Sequence, residues 1–193
     1  IMIGVNGYDA QAQGGAGGRG GGGFYEYEDG SWISDPPENG KAGGIVYDAQ
    51  GIDTDIYLSG ATPSAAYPTA DGYIRAPSGG DGGYVANLLE PPGGSTGGDG
   101  GNAGDGRGSG IAGAGRDAGI GGAGGVADYS PTKNYGDNGI NGSIDGSGSG
   151  WGNAGANNDA TGGAAGSGVV NNDATVVLYG ADASRYINGN GDH

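Results

Sequence analysis

The side chains best suited to recognise a ligand are aromatic, and most stand in short stretches that interrupt glycine-rich sequence. Tyr and Trp provide a large, rigid contact area at a low entropic cost, and they dominate recognition surfaces. Loops rich in them are therefore predicted to bind a partner; the alternative is that each ring only covers the edge of a thin structure. The predicted binding residues are Tyr25, Tyr27, Trp32, Tyr129, Lys133, Tyr135, Trp151 and Asn157.

The residue types needed for catalysis are scarce. The chain has no Cys, and its single His is His193, whereas nucleophilic catalysis needs a His held near its partners. Carboxylate pairs such as Asp53 and Asp55 are expected by chance among 22 acids and are typical of a solvated surface. No glycine run is followed by the Lys-Ser/Thr pair and helix of a phosphate-binding loop. We therefore predict that the protein is not an enzyme.

Calcium is the one metal ion that the sequence leaves open. Asp99, Asn102 and Asp105 follow one another at intervals of three residues. On a helix with three residues per turn, their oxygens would stand on one edge, about 9 Å apart. One ion could then be bound only if a neighbouring helix added ligands, and the alternative is a solvated acidic edge. No other cofactor is predicted.

Composition excludes an ordinary hydrophobic core. Glycine supplies 53 of the 193 residues, so order has to come from backbone hydrogen bonds and close packing. The formal net charge of −15, with only 7 Lys and Arg residues, opposes binding to nucleic acid or to an anionic membrane. No apolar run approaches the roughly 20 residues that cross a bilayer, so a soluble protein is expected.

The glycines between residues 97 and 125 are in phase. Most residues at every third position from Gly98 are Gly, the preceding phase carries Gly, Ala or Ser, and larger side chains fall on the third phase. A polyproline II helix has three residues per turn, a rise of about 3.1 Å and N–H and C=O groups that point sideways. We predict such helices packed side by side through hydrogen bonds, with turns at Arg107 and Arg116. The predicted structural glycines are Gly98, Gly101, Gly104, Gly110, Gly113, Gly119, Gly122 and Gly125.

The predicted fold is an irregular, all-β-like bundle or sandwich of polyglycine/polyproline II helices with short flanking β-strands and almost no α-helix. Collagen is excluded because the strict Gly-X-Y period is missing, and a flexible linker because it needs no phase. Disorder and another β structure stay as alternatives. Three regions are predicted: 1–78, with strands, loops and a short glycine block at 14–23; 79–168, with the helix bundle and inserted loops; and 169–193, a terminal β segment.

Three glycine-rich blocks carry a resemblance to a known family. They are Gly79–Gly83, Gly97–Gly125 and Gly162–Val170, and the last leads into a strand and an ending at Ile187–Gly189. In these blocks the chain resembles the glycine-rich receptor-binding region of bacteriophage tail fibres and T-even-type tail-tip adhesins. The resemblance implies a polyglycine II sandwich whose aromatic loops bind a bacterial outer-membrane protein or surface glycan. It also implies other tail fibre subunits or further copies of the chain as partners, and a place in the virion tail or outside the cell. Charge and the lack of a long apolar run, not the resemblance, predict neither nucleic-acid binding nor membrane insertion.

Two other functions are compatible with the glycine pattern. A structural filament would use the same bundle to polymerise, with its loops contacting further copies. A springtail-type ice-binding protein shares the glycine helices, but it should present a flat face of small, uncharged residues. Here Asp and Asn occupy the outward phase, which disfavours ice binding.

Overall fold

The fold is that of a computed structural model. It describes residues 2–3, 12–21, 25–26, 32–33, 36–58, 72–84, 96–107, 117–129, 132–144 and 150–191.

The regular elements of the described residues are short β-strands, and no helix is present among them. This confirms the predicted non-helical, all-β-like content. Runs of β-branched and aromatic residues supply most of the strands, as their preference for a pleated surface predicts. In chain order the strands are β1 (Met2–Ile3), β2 (Tyr25–Glu26), β3 (Trp32–Ile33), β4 (Ile45–Asp48), β5 (Thr54–Tyr57), β6 (Tyr73–Arg75), β7 (Asp105–Arg107), β8 (Val126–Tyr129), β9 (Thr132–Tyr135), β10 (Ser167–Val170), β11 (Val176–Tyr179) and β12 (Tyr186–Ile187).

The strands form small sheets. A parallel sheet has the order β1-β5-β11, and β4 pairs with β10, also in parallel. A third sheet has the order β12-β6-β7, with β6 parallel to β12 and antiparallel to β7. The pairs β2–β3 and β8–β9 are antiparallel hairpins.

Extended, glycine-rich segments connect these sheets, and they bond to one another rather than within themselves. Each has at least two neighbours, and segment III bonds to segments I, II, IV, VII and VIII. Segment III is therefore the centre of the bundle. The segments are I (12–21), II (36–44), III (76–84), IV (96–104), V (117–125), VI (136–143), VII (153–158) and VIII (160–166).

The hydrogen bonds between segments repeat at every third residue. In segment I, one phase of N–H groups bonds to segment V and the next phase bonds to segment III, at donor–acceptor distances of 2.7 to 3.1 Å. Successive residues thus face different neighbours, as three residues per turn requires. The bonds run from Gly14, Gly17 and Gly20 to Asp117, Ile120 and Ala123, and from Gly15, Gly18 and Gly21 to Ser78, Asp81 and Tyr84.

Close backbone approach explains why glycine is required at the phased positions. A Cβ atom added to Gly98 would collide with the carbonyl oxygen of Asp81, and one added to Gly101 would collide with that of Ser78. The obstructing atoms belong to the backbone, so no side-chain movement relieves the overlap. The same holds for Gly119 against the carbonyl of Gly15.

Consecutive segments run in opposite directions. Segments I, III, V and VII are parallel to one another, and segments II, IV, VI and VIII run the other way. The last residues of segments I, III, V and VII therefore lie at the same end of the bundle as the first residues of segments II, IV, VI and VIII, and we call this the hairpin end. The opposite end carries β4 to β7 and β10 to β12, and we call it the sheet end.

Hydrogen bonds connect segments on both sides of the predicted boundary at residue 78.

The apolar core lies at the sheet end. Ile56, Leu58, Ile74 and Val169 are fully buried, and Val46 is nearly so. The small size of this core agrees with the scarcity of large aliphatic residues. The stability of most of the bundle therefore depends on its backbone hydrogen bonds. Partly buried residues packed against the core are Tyr47, Val176, Leu178 and Tyr186.

The block from residue 97 to residue 125 is interrupted, but the turn predicted at Arg107 is wrong, because Arg107 is the last residue of strand β7. Segments IV and V occupy its two ends, and they are joined by 2.8 Å bonds from Gly119 and Gly122 to carbonyls of segment IV. Between them the chain forms β7, because its backbone pairs with β6 where segment IV enters the sheet end. Three residues singled out in this block lie outside the described residues: Gly110, Gly113 and Arg116.

Candidate functional site

Hairpin β2–β3 connects segment I to segment II. Its register pairs Tyr25 with Ile33 and Glu26 with Trp32. Two predicted binding residues, Tyr25 and Trp32, therefore lie on adjacent strands at the hairpin end. Tyr27 lies outside the described residues.

Hairpin β8–β9 connects segment V to segment VI. The register places Tyr129 opposite Thr132, the last pair of the ladder, and Lys133 opposite Asp128. Tyr135 pairs with Val126 at the base, where the strands continue into the glycine segments. This region was predicted as a loop, and the ladder between its two halves fixes the spacing of three predicted binding residues.

The two hairpins are neighbours. Strands β2 and β8 approach each other with Cα atoms within 8 Å. The fold thus brings Tyr25, Trp32, Tyr129, Lys133 and Tyr135 to one end of the bundle, although they come from separate stretches of sequence.

Trp151 lies at the other end of the molecule. The Arg75 guanidinium carbon stands 4.2 Å from the centre of the Trp151 ring and 4.2 Å from the centre of the Tyr73 ring. Arg75 also donates a 2.9 Å hydrogen bond to the carbonyl of Ser184. A guanidinium beside an aromatic face is a stabilising contact, and this one places the Trp151 ring against Arg75 at the sheet end. The structure does not bring Trp151 together with Tyr129 and Lys133.

Asn157 has a backbone partner. Its side-chain oxygen accepts a 2.8 Å hydrogen bond from the N–H of Gly162 at the tight connection between segments VII and VIII. Segments VII and VIII bond to II and III, whereas segments V and VI bond to I and IV. Asn157 is therefore at the hairpin end, but on the opposite flank of the bundle from hairpin β8–β9.

Asp and Asn side chains accept hydrogen bonds from backbone N–H groups of neighbouring segments, a role that the sequence analysis missed. The side-chain oxygen of Asp99 accepts from the N–H of Ile140, and that of Asn102 accepts from Ser143, at 2.8 and 2.7 Å. Edge N–H groups that have no neighbouring carbonyl are satisfied in this way. The signal was the placement of Asp and Asn on one phase. The same contact is made by Asn39 to Thr161, Asp81 to Ala156, Asn138 to Gly124 and Asn141 to Gly121.

These contacts bear on the calcium hypothesis. One oxygen of Asp99 and that of Asn102 are occupied by backbone donors, and Asp105 belongs to β7 rather than to segment IV. Within the described ranges, no group of three or more acidic or His side chains is placed to hold a metal ion. The contact at Asp99 serves the bundle edge, whereas Asn102 is 2% exposed and therefore does not lie on an outward edge as predicted.

A shallow cleft opens at the base of hairpin β2–β3. It has a volume of about 240 Å³ and is lined by Arg19, Gly20, Pro36, Pro37 and Glu38. Segments I and II are held together here by a 2.9 Å bond from the Glu38 N–H to the Arg19 carbonyl. The cleft adds one cation, one carboxylate and two apolar rings to the aromatic hairpins beside it.

Comparison of the chain with protein-family models, with curated proteins and with solved structures gave no match. In the described part of the chain, no helical stretch has the length and apolar character to cross a bilayer. A functional proposal for this chain therefore rests on its own geometry.

Proposed function

We propose that the protein is a receptor-binding adhesin of a phage tail fibre or tail tip, and that its hairpin end binds a protein or glycan on the bacterial surface. The observation that carries the proposal is the contact between strands β2 and β8, which gathers the aromatic hairpins at one end of a glycine-rich bundle. Other fibre subunits are the partners in the virion, and the protein acts outside the cell.

The scaffold of this adhesin is a polyglycine II sandwich. Hydrogen bonds at every third residue, each phase directed at another segment, support threefold helices. No glycine inside segments I to VIII has a positive φ, as the left-handed threefold helix with φ near −75° requires. Backbone carbonyls surround the phased glycines, which supports close packing of thin helices.

Recognition by the hairpins follows from where side chains are available. The phased residues are mostly Gly and Ala, which offer no means of telling one ligand from another. The hairpins combine aromatic rings with Lys133, and connections on a rigid scaffold are the usual place for binding residues. Because the bundle is held by its own backbone, the hairpins can change in sequence while the scaffold keeps its stability.

The experiment measures adsorption and folding together. The labelled protein is first applied to a panel of bacterial strains, and a strain that retains it is used for Tyr25→Ser, Tyr129→Ser and Lys133→Ser variants. We expect at least a tenfold loss of adsorption with melting temperatures close to that of the parent, because hairpin residues outside the bundle carry recognition.

The matched control is Ile52→Ser at the sheet end, where the Ile52 side chain is 65% exposed. Its adsorption should equal that of the parent. Retention of the hairpin variants on cells at parental levels would refute the proposed site, and so would adsorption lost only in proportion to melting temperature.

A further inference from the structure

Strand β11 is the outer strand of the parallel sheet β1-β5-β11. It pairs with β5 along its whole length, from Val176 opposite Thr54 to Tyr179 opposite Tyr57. Its other side therefore forms an edge of the sheet.

The register defines which backbone groups point outward. Thr54 donates to the carbonyl of Thr175, and Leu58 donates to the carbonyl of Tyr179, at 2.9 and 2.8 Å. In a parallel ladder the bonding residues of one strand alternate. The N–H groups of Val177 and Tyr179 thus face β5, whereas the N–H and C=O groups of Val176 and Leu178 face away from it. No described residue bonds to these outward groups.

The β11 edge lacks the protection seen elsewhere in the molecule. At the bundle edges, side chains such as Asn138 and Asn141 accept hydrogen bonds from otherwise unpaired N–H groups. Strand β11 contains no charge, Pro or Gly, and its Val177 and Tyr179 side chains are 37% and 38% exposed. Natural proteins usually blunt such an edge with Lys, Pro or a bulge, so an open apolar edge indicates a partner strand.

Two strand–turn–strand units already pair side by side, in parallel, next to this edge. Strand β4, its turn and β5 lie beside β10, its turn and β11, and both turns contain residues with positive φ. Gln50 and Gly51 occupy the first turn, and Asn172 and Asp173 occupy the second. Tyr179 stacks on Tyr57 across the pair. An added strand would extend this arrangement by one layer and would place a side chain over Tyr179.

The acidic residues that flank β11 indicate which kind of strand could bind to its outer edge. Asp173 precedes β11 and Asp182 follows it, both exposed, and the chain carries a net charge of −15. A second copy would bring the same acidic flanks against this edge, at an electrostatic cost. A strand flanked by Lys or Arg would complement the flanks.

We propose that the outer edge of β11 binds a β-strand from a different polypeptide, a short uncharged extended segment with Lys or Arg on both sides. Backbone hydrogen bonds to Val176 and Leu178 would provide affinity, and the acidic flanks would provide selectivity. The site lies at the sheet end, so it leaves the hairpin end free. Identification of the bound chain as a fibre subunit rests on the proposed function, whereas strand binding itself does not.

The first test uses the protein alone. Amide hydrogen exchange measured by NMR should be about 100-fold faster at Val176 and Leu178 than at Val177 and Tyr179, because only the second pair is bonded to β5. Equal protection of all four amides would mean that the edge is already covered, and it would overturn the proposal.

The second test adds a defined probe, the capped peptide Lys-Lys-Thr-Val-Thr-Tyr-Thr-Lys-Lys. At millimolar concentration it should slow exchange at Val176 and Leu178 at least tenfold, and a version with Glu in place of Lys should have a smaller effect. The Val176→Pro variant removes an outward N–H at the first strand position, where Pro is tolerated, and Val176→Thr keeps it. Binding should be lost in the first and kept in the second, with melting temperatures recorded for both.

The remaining outcomes decide against the proposal. No protection by the Lys-flanked peptide would refute strand addition, and equal binding of the Glu-flanked peptide would refute selection by charge. Sedimentation of the free protein as a dimer, with Val176 and Leu178 protected only in the dimer, would replace the foreign strand by a second copy. None of these readouts depends on adsorption to cells, so failure here is distinguishable from failure of the proposed receptor site.

Discussion

Tyr57 and Tyr179 stack face to face, with ring centroids 4.5 Å apart and ring planes inclined by 7°. They are directly opposite in the parallel register of β5 and β11, so the stack fixes how two distant stretches of the chain align. A slip of β11 by one residue would move the Tyr179 ring to the other face of the sheet, away from Tyr57. The stack therefore helps to specify the sheet end, where the small apolar core lies.

The Tyr57 hydroxyl gives this stack a pH dependence. Burial raises the pKa of Tyr57 above its ordinary value, and the Asp55 carboxylate and Tyr179 act in the same direction. The folded state thus favours the neutral phenol. Its contribution to stability is fully present below the unfolded pKa of about 10 and is lost as pH rises through the higher folded pKa.

We predict that Tyr57→Phe flattens the loss of melting temperature between about pH 9 and pH 11 relative to the parent. Thermal unfolding followed by circular dichroism across this range measures the effect. Tyr84→Phe is the control, because Tyr84 is 46% exposed and lies in segment III rather than in the stack. Parallel pH curves for the parent and Tyr57→Phe would contradict the prediction.

A single methyl group should separate the crowded glycines from the tolerant ones. Gly101→Ala would place a Cβ atom against the backbone carbonyl oxygen of Ser78. Segments III and IV are both held by hydrogen bonds here, so neither backbone can move away easily. A Cβ atom at Gly44 would meet the Gln13 carbonyl oxygen at 3.3 Å and its amide nitrogen at 3.4 Å, close to ordinary contact. We expect Gly101→Ala to lower the free energy of unfolding by about 3 kcal/mol and Gly44→Ala by less than about 1 kcal/mol. Denaturant unfolding measures both, and similar losses would show that close packing is not the reason for the glycine phase.

Edge closure by amide side chains gives a third prediction. Asn141 accepts a 2.9 Å hydrogen bond from the N–H of Gly121 through its side-chain oxygen. Asn141→Leu removes the acceptor and should cost about 1 kcal/mol of folding free energy, whereas Asn141→Asp keeps an acceptor oxygen and should cost little. Faster hydrogen exchange at the Gly121 amide in the Leu variant alone would tie the loss to this bond. Equal stability of the two variants would mean that water replaces the side chain without cost.

Much of the fold was predictable from the spacing of glycine, because close packing of backbones excludes a Cβ atom at fixed intervals. The strands around Ile45 and Ile56 were predictable from their β-branched character. Hairpin β8–β9 was not, since its Val-Ala-Asp-Tyr half has no clear alternation of apolar and polar residues. The roles of Asp99 and Asn141 also escaped prediction, because each depends on which distant segment lies beside it.

The candidate site was predictable in its residue types but not in its grouping. Aromatic content pointed equally to Tyr129 and Trp151, although the two occupy opposite ends of the bundle. The direction of each segment decides which hairpins lie at the same end of the bundle. That direction follows from hydrogen bonds between distant segments, which composition does not encode. Arg75, the partner of Trp151, is far from it in sequence.

This separation of the two ends leads to the last prediction, which concerns Trp151. Its ring is half-buried against Arg75, which also stacks on Tyr73 and binds the Ser184 carbonyl, so Trp151 is one face of a clamp at the sheet end. Trp151→Ser removes that face and should lower the free energy of unfolding by about 2 kcal/mol. Trp151→Phe keeps an aromatic ring over the guanidinium, so its loss should be about half as large. Below the melting temperature, both variants should adsorb to cells like the parent, because the hairpins are untouched. Loss of adsorption in Trp151→Ser without a change in melting temperature would assign Trp151 to recognition and would contradict a receptor surface confined to the hairpin end.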